Sequence, residues 1–241
     1  LDKQACHPNG MLIDFIDDEH IYRDSTGRFY TSCTELIHQH FPKFETEKIA
    51  SKYAAKNHLR TEDVIQQWEQ NRDEAAELGS RVHAHAERVL KNQPSEPKFT
   101  KDQLFFDTVT RFIKRDLLPN YTLLETEKVI FSPKYGLAGT VDLLMKNRSG
   151  HIIILDWKTN KQIKQQNRYQ RGLGRLSHLP DSNYYHYCLQ LNLYRKIMEE
   201  EGYYRRLDNA HMSLLHVGVL KVKVYDVPVM KEETQYILNS I

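Results

Sequence analysis

The stretch Leu137-Ala138-Gly139-Thr140-Val141-Asp142-Leu143-Leu144-Met145-Lys146, then Asn147-Arg148-Ser149-Gly150, then His151-Ile152-Ile153-Ile154-Leu155-Asp156-Trp157-Lys158, decides how this chain folds. Two apolar runs of strand length flank four residues of turn chemistry that end in Gly. They read as an antiparallel hairpin. Each run carries one aspartate among aliphatic side chains. A carboxylate there is costly to bury unless it is paired or holds a cation. If the hairpin closes through a three-residue loop at 148–150, residue 142 lies opposite residue 156. Lys158 follows Asp156 by two positions, so it projects from the same face of its strand. Two acids and a lysine then meet at one spot. Paired carboxylates suit Mg²⁺, a hard cation that takes oxygen ligands. A neighbouring lysine suits an attacking water or charge developing on a phosphate. One Asp-x-Lys alone reads as an ion pair that supports the fold; the second aspartate points to chemistry.

Upstream of the hairpin, 121–131 is strand-like and Pro133 to Gly136 makes a turn. Residues 100–118 have helical spacing at Leu104, Phe105, Val109, Phe112 and Ile113. Helices are expected over 45–57, from Thr61 to about Asn71, and over 72–91. Another starts at Ser32 or Thr34, both good N-caps, and ends before Pro42. Residues 11–31 read as a hairpin with turns at Asp17-Asp18 and Ser25-Thr26-Gly27. Downstream come a helix over 183–201, strands over 210–218 and 219–227, and a helix over 230–241. The expected fold is α/β, with a mixed central sheet flanked by helices and an N-terminal helical subdomain. We divide it into an N-terminal part, residues 1–78, and a core, residues 79–241.

The 241 residues suffice for one sizeable domain, and 40% hydrophobic with 27% charged residues argues against disorder. No aliphatic run approaches bilayer length, and Leu1 to Gly10 lacks the apolar segment of a signal peptide, so no membrane partner is expected. Three scattered cysteines (Cys6, Cys33 and Cys188) suggest a reducing, cytoplasmic compartment without a disulfide framework or a thiolate cluster. The net charge of +2 is uninformative, but its distribution is not. From Lys158 to Pro180 there are six basic residues (Lys158, Lys161, Lys164, Arg168, Arg171 and Arg175) and no acid. Such a run suits a polyanion, and the alternative is a solvated basic loop. We expect Lys161, Lys164, Arg168, Arg171 and Arg175 to bind phosphates on a flexible flap, with Gly172 and Gly174 as hinges.

Gly139-Thr140-Val141-Asp142 followed by Asp156-Trp157-Lys158-Thr159 resembles the signature of the PD-(D/E)xK nucleases in its RecB-like form, as in phage-type and mitochondrial-genome-maintenance-type exonucleases. Gly79-Ser80-Arg81-Val82-His83 resembles the Gly…His motif before the core, and Gln190-Leu191-Asn192-Leu193-Tyr194 the Gln-x-x-x-Tyr motif after it. Glu127 resembles the acid often found on the first core strand. The motifs stand in family order; the proline of the family name and the four-cysteine cluster of some members are absent. The resemblance implies a restriction-endonuclease-like core and a Mg²⁺-dependent deoxyribonuclease, with Mn²⁺ as a substitute. Asp142, Asp156 and the Trp157 carbonyl would hold one cation. His83 and Asp142 would hold a second, with Glu127 as a further candidate ligand and Glu87 supporting His83. Lys158 would position or deprotonate the water. Gln190 would contact Lys158 or a phosphate, and Tyr194 would position the strand. His85 is left as surface, and Trp157 as core or a stacking neighbour. The implied substrate is DNA, at ends or single strands, in repair, recombination or replication, with a helicase or recombination partner and a bacterial or phage-infected setting. The alternative is a catalytically idle DNA-binding or structural module of a helicase-nuclease complex.

Overall fold

A computed structural model describes residues 3–16, 21–94, 102–205 and 207–241. The expected turn at Asp17-Asp18 and the start of the helix expected from residue 100 lie outside the described residues. The decisive hairpin forms as read. Strand β6 (Leu137–Asn147) pairs antiparallel with β7 (Ile152–Lys158), Leu143 opposite Leu155 and Leu144 opposite Ile154. The Asn147 N–H donates to His151 O and the Gly150 N–H to Asn147 O, which closes the three-residue loop. Gly150 has φ +84°, a conformation that the absent Cβ makes inexpensive. The same register carried one step further sets Asp142 against Asp156.

β6 is buried on both faces, hence its nearly unbroken apolar run. Strand β5 (Tyr121–Ser132) covers one edge of β6 along almost its whole length. The other edge is shared. Its start, Leu137 and Ala138, pairs parallel with Thr31 and Ser32 of β4 (Phe29–Ser32), while 143–146 pair with β7. Between them, residues 139–142 face a fork where β4 and β7 part. Beyond β7, β8 (His211–Val217) runs parallel to it and β9 (Val222–Asp226) forms the edge. At the far end, β1 (Lys3–Cys6), β2 (Leu12–Ile16) and β3 (Ile21–Asp24) complete the nine strands among the described residues.

Helices cover both faces. Helices α1 (Cys33–His38), α5 (Asn183–Glu200) and α6 (Lys231–Leu238) enclose one core around Ile154, Leu189 and Ile197. Ser32 caps α1 by accepting the Glu35 N–H on its hydroxyl. On the other face, α3 (Thr61–Leu90) and α4 (Gln103–Phe112), with a π-turn at Ile113–Leu117, pack on Leu143, Met145 and Trp157.

Three expectations change. The two helices foreseen over 61–91 are one 30-residue helix, because neither Pro nor Gly interrupts Asn71-Arg72-Asp73-Glu74. Its first half meets α2 (Thr46–Asn57) through the small cluster Ala50, Ala54 and Val64. The N-terminal hairpin is larger than read, because β1 adds an edge strand too polar to betray itself. The division at residues 78 and 79 falls inside α3, and β4 ties the N-terminal strands into the same sheet.

The β3–β4 turn yields a stability prediction. The buried Asp24 carboxylate accepts the Thr26 N–H (2.8 Å), the Thr26 hydroxyl (2.6 Å), the Arg28 N–H (3.1 Å) and the Tyr30 hydroxyl (2.9 Å). Burial alone would raise its pKa, but the bonds from Thr26, Tyr30 and Arg28 outweigh it and hold the group at about 2. A depressed carboxyl stabilises the fold above its unfolded pKa of about 3.9 and loses that contribution as pH falls toward the folded value. Asp24→Asn is expected to cost about 1–3 kcal/mol at pH 7. In urea titrations the gap from wild type should narrow between pH 4 and about 2. Equal stability at pH 7 would mean that the carboxylate does not hold the turn.

Candidate active site

Although β8 pairs one edge of β7, the fork leaves the other without a strand partner just where Asp142 stands. Its Oδ2 accepts the Trp157 N–H at 2.8 Å, so the side chain finishes the ladder that β4 interrupts. Asp156 is 2% exposed, on the α5 face with Ile152 and Ile154. Lys158 Nζ stands 2.6 Å from Asp156 Oδ2, an ion-pair contact off the line of a hydrogen bond. The ammonium lies 4.3 Å from the ring centroid of Tyr187 on α5, whose hydroxyl donates to Asn160 Oδ1 at 2.8 Å.

His83 comes from the C-terminal third of α3. Its Nε2 lies 3.1 Å from the Trp157 carbonyl oxygen, which it can engage only as an N–H donor. That leaves Nδ1 turned inward, 3.5 Å from Asp142 Oδ2 and 3.6 Å from Glu127 Oε1. Glu127 lies on β5 opposite Asp142 and has φ +48°, a strained backbone for a side chain of this kind inside a strand. The strain falls at the centre rather than in a turn.

His83, Glu127 and Asp142 bring one ligand atom each within 4.8 Å of one another. Burial and then the Asp156 charge raise the Asp142 carboxyl well above the usual range, against the opposing pull of His83. Burial would depress His83, but Asp142, Glu127 and Asp156 carry it to about 9. Three carboxylates, Glu127, Asp142 and Asp156, thus gather around His83 and Lys158, with Lys3 Nζ 3.6 Å from Glu127 Oε2. Carboxylate oxygens with one imidazole nitrogen form a hard donor set, which fits a divalent cation. For Lys158, burial opposes the charged form, yet Asp156 and Asp142 overcome it and raise the pKa.

The other expected residues are placed as follows. Gln190 does not reach Lys158; its Nε2 donates to the Tyr194 hydroxyl at 2.8 Å and to Thr34 Oγ1 at 3.2 Å. Tyr194 is buried, its ring against Gly139 of β6. Trp157 is core, edge-on to Phe112. Glu87 does not support His83; it binds Thr126 and Lys91. His85, left as surface, is half-buried, stacks on Phe106 and bonds Thr110. Gly79 brings α3 beside the end of β7, where a Cβ would lie 3.4 Å from Thr159 Oγ1.

The basic segment is tied down rather than hinged. The Gly172 N–H donates to Leu179 O, and Arg171 to the His178 carbonyl. A Cβ on Gly172 would lie 2.5 Å from Leu176 O, and one on Gly174 would lie 2.4 Å from the Tyr236 hydroxyl, so both glycines serve close packing. Lys161 and Arg175 line different clefts. Arg175 borders the larger, about 890 Å³ between α5 and α6, which none of the residues converging with Asp142 lines.

Sequence reading missed Tyr187. It stands three residues before Gln190 and seven before Tyr194, the spacing of one helix face, and that was the available signal.

The sequence profile of the PD-(D/E)XK nuclease superfamily matches residues 50–239. No curated protein matches the sequence. A solved candidate exonuclease from Eubacterium rectale is similar over 83% of this chain and 65% of its own, at 10% identity and a TM-score of 0.36. This chain thus spans just under two-thirds of that protein.

Proposed function

The chain belongs to the PD-(D/E)XK nuclease superfamily, and on that premise we propose that it is a Mg²⁺-dependent deoxyribonuclease acting on DNA ends or single strands. The observation that carries this reading is the convergence of His83, Glu127 and Asp142 beside the Asp156–Lys158 pair. Asp142, Glu127 and His83 would hold the cation, with Asp156 across the hairpin. A divalent cation there would polarise a phosphoryl oxygen and acidify its bound water.

The chain's own groups have separable tasks. Asp156 keeps Lys158 protonated, so the ammonium acts as a fixed positive donor toward charge developing on the phosphate. The raised pKa disfavours Lys158 as a base. Tyr187 covers the ammonium on the α5 side and limits its rotation. His83, anchored through Nε2 by the Trp157 carbonyl, would release its Nδ1 proton to present that nitrogen to a bound cation.

The test is a time course on end-labelled linear, covalently closed circular and single-stranded DNA, with Mg²⁺ or with excess chelator. Linear and single-stranded DNA should shorten progressively, circular duplex should resist, and chelator should stop the reaction. Cleaved circles would overturn the preference for ends, and full activity in chelator would overturn the cation-dependent reading.

A further inference from the structure

Lys158 pairs with His216 of β8, and His216 with Lys223 of β9. Paired residues project to one face, so Lys158, His216 and Lys223 form a row across three strands, spanning about 10 Å at the usual interstrand spacing. The row leads from the active centre to the sheet edge. There it borders a cleft of about 380 Å³ lined by Lys161, His216, Lys221, Lys223 and Tyr225, with no carboxylate among the described residues of its walls.

The three cleft lysines are exposed, and none has an ion-pair partner among the described residues. Lys223 leans on the Tyr225 ring, 4.5 Å from its centroid. His216 Nε2 donates to Asn160 O at 2.6 Å, and Asn160 Oδ1 accepts the Tyr187 hydroxyl that caps the Lys158 pocket. One run of contacts thus joins the cleft wall to the catalytic lysine. Lysines on an edge strand ordinarily deter pairing with other chains. Here Lys161 and Lys221 lie outside the strand and converge on the same space. The larger cleft, in contrast, mixes its cations with Glu199, Glu232 and Glu233.

We infer that this cleft carries the sugar–phosphate backbone of the strand on one side of the cleaved bond, with phosphates on Lys161, Lys221 and Lys223 and a base against Tyr225. The inference rests on the nuclease reading above. It locates the path of the strand on the β9 side rather than over the 167–176 segment.

The test is binding of a fluorescein-labelled 20-nucleotide oligo-dT to the full chain in chelator, titrated with salt. Lys221→Ala with Lys223→Ala should weaken binding about tenfold at low salt and reduce the salt slope by about 1.4, the loss of two single-strand phosphate contacts. Lys134→Ala with Lys196→Ala, whose cations are paired to Glu200, should change neither. Lys161→Ala lies outside the sheet and gives an independent reading if the edge strand is disturbed, with a slope loss of about 0.7. If wild type binds and these cleft variants match it in affinity and slope, the cleft inference is overturned while the nuclease reading stands. A wild-type chain that neither binds nor cleaves DNA overturns both.

Discussion

Lys158→Ala is expected to lower kcat on DNA by about 10²–10³-fold, the usual cost of removing one preorganised donor from a developing anion, with DNA affinity nearly unchanged. The side chain is confined by Asp156 at 2.6 Å and by the Tyr187 ring at 4.3 Å, and its charged form is favoured. On the proposed reading it would enter the reaction as a placed charge rather than as a diffuse contributor to binding. Lys158→Arg should rescue poorly, because a planar guanidinium cannot occupy the same niche between carboxylate and ring. Single-turnover cleavage with a parallel binding titration separates the two quantities. Cleavage by Lys158→Ala at near the wild-type rate would remove the Asp156–Lys158 pair from the mechanism.

The second large effect is structural. Gly139→Ala should destabilise the fold by about 3 kcal/mol, the upper range for overpacking a filled core. A Cβ there would lie 2.3 Å from Tyr194 Cε1 and 3.1 Å from Cζ. Neither partner can give way easily. Gly139 sits in a central strand, and Tyr194 is buried on α5 with its hydroxyl bonded by Gln190. For a chain of this size the thermal midpoint should drop by roughly 6–10 °C. Tyr194→Phe keeps the ring and should not rescue. Tyr194→Ala should be non-additive with Gly139→Ala, because removing the ring removes the clash. Additive losses in that cycle would show that the glycine is needed for another reason. Gly79→Ala, with its 3.4 Å contact to Thr159, should be far milder.

The hairpin and its register were legible because local chemistry sets both: a loop ending in Gly150 and two apolar runs of strand length. Asp142 facing Asp156 follows from counting across that loop. His83 and Glu127 entered through motif resemblance, since nothing local ties residue 83 to residue 127. The fork was not legible. Parallel pairing of Thr31 with Leu137 joins distant segments and leaves no periodic trace in either. Lengths also misled where composition was neutral, as in α3, whose polar middle reads equally as a break or as an exposed helical stretch. The Lys158–His216–Lys223 row needed the β7–β8–β9 register, which no single segment contains.

The fork also has a temporal consequence. The meander β5–β6–β7 is made of neighbours in sequence, and contacts of that kind form early in folding. The pairing of β4 with β6 must close a loop of about a hundred residues, and such closure is slow. Both aspartates are therefore set side by side while the strand that bounds them is still unattached. Lys158 and His83, rather than β4, then offset the repulsion between the two carboxylates. Weakening the β4–β6 junction should accordingly speed unfolding more than it slows refolding, because a contact formed late is largely absent from the transition state.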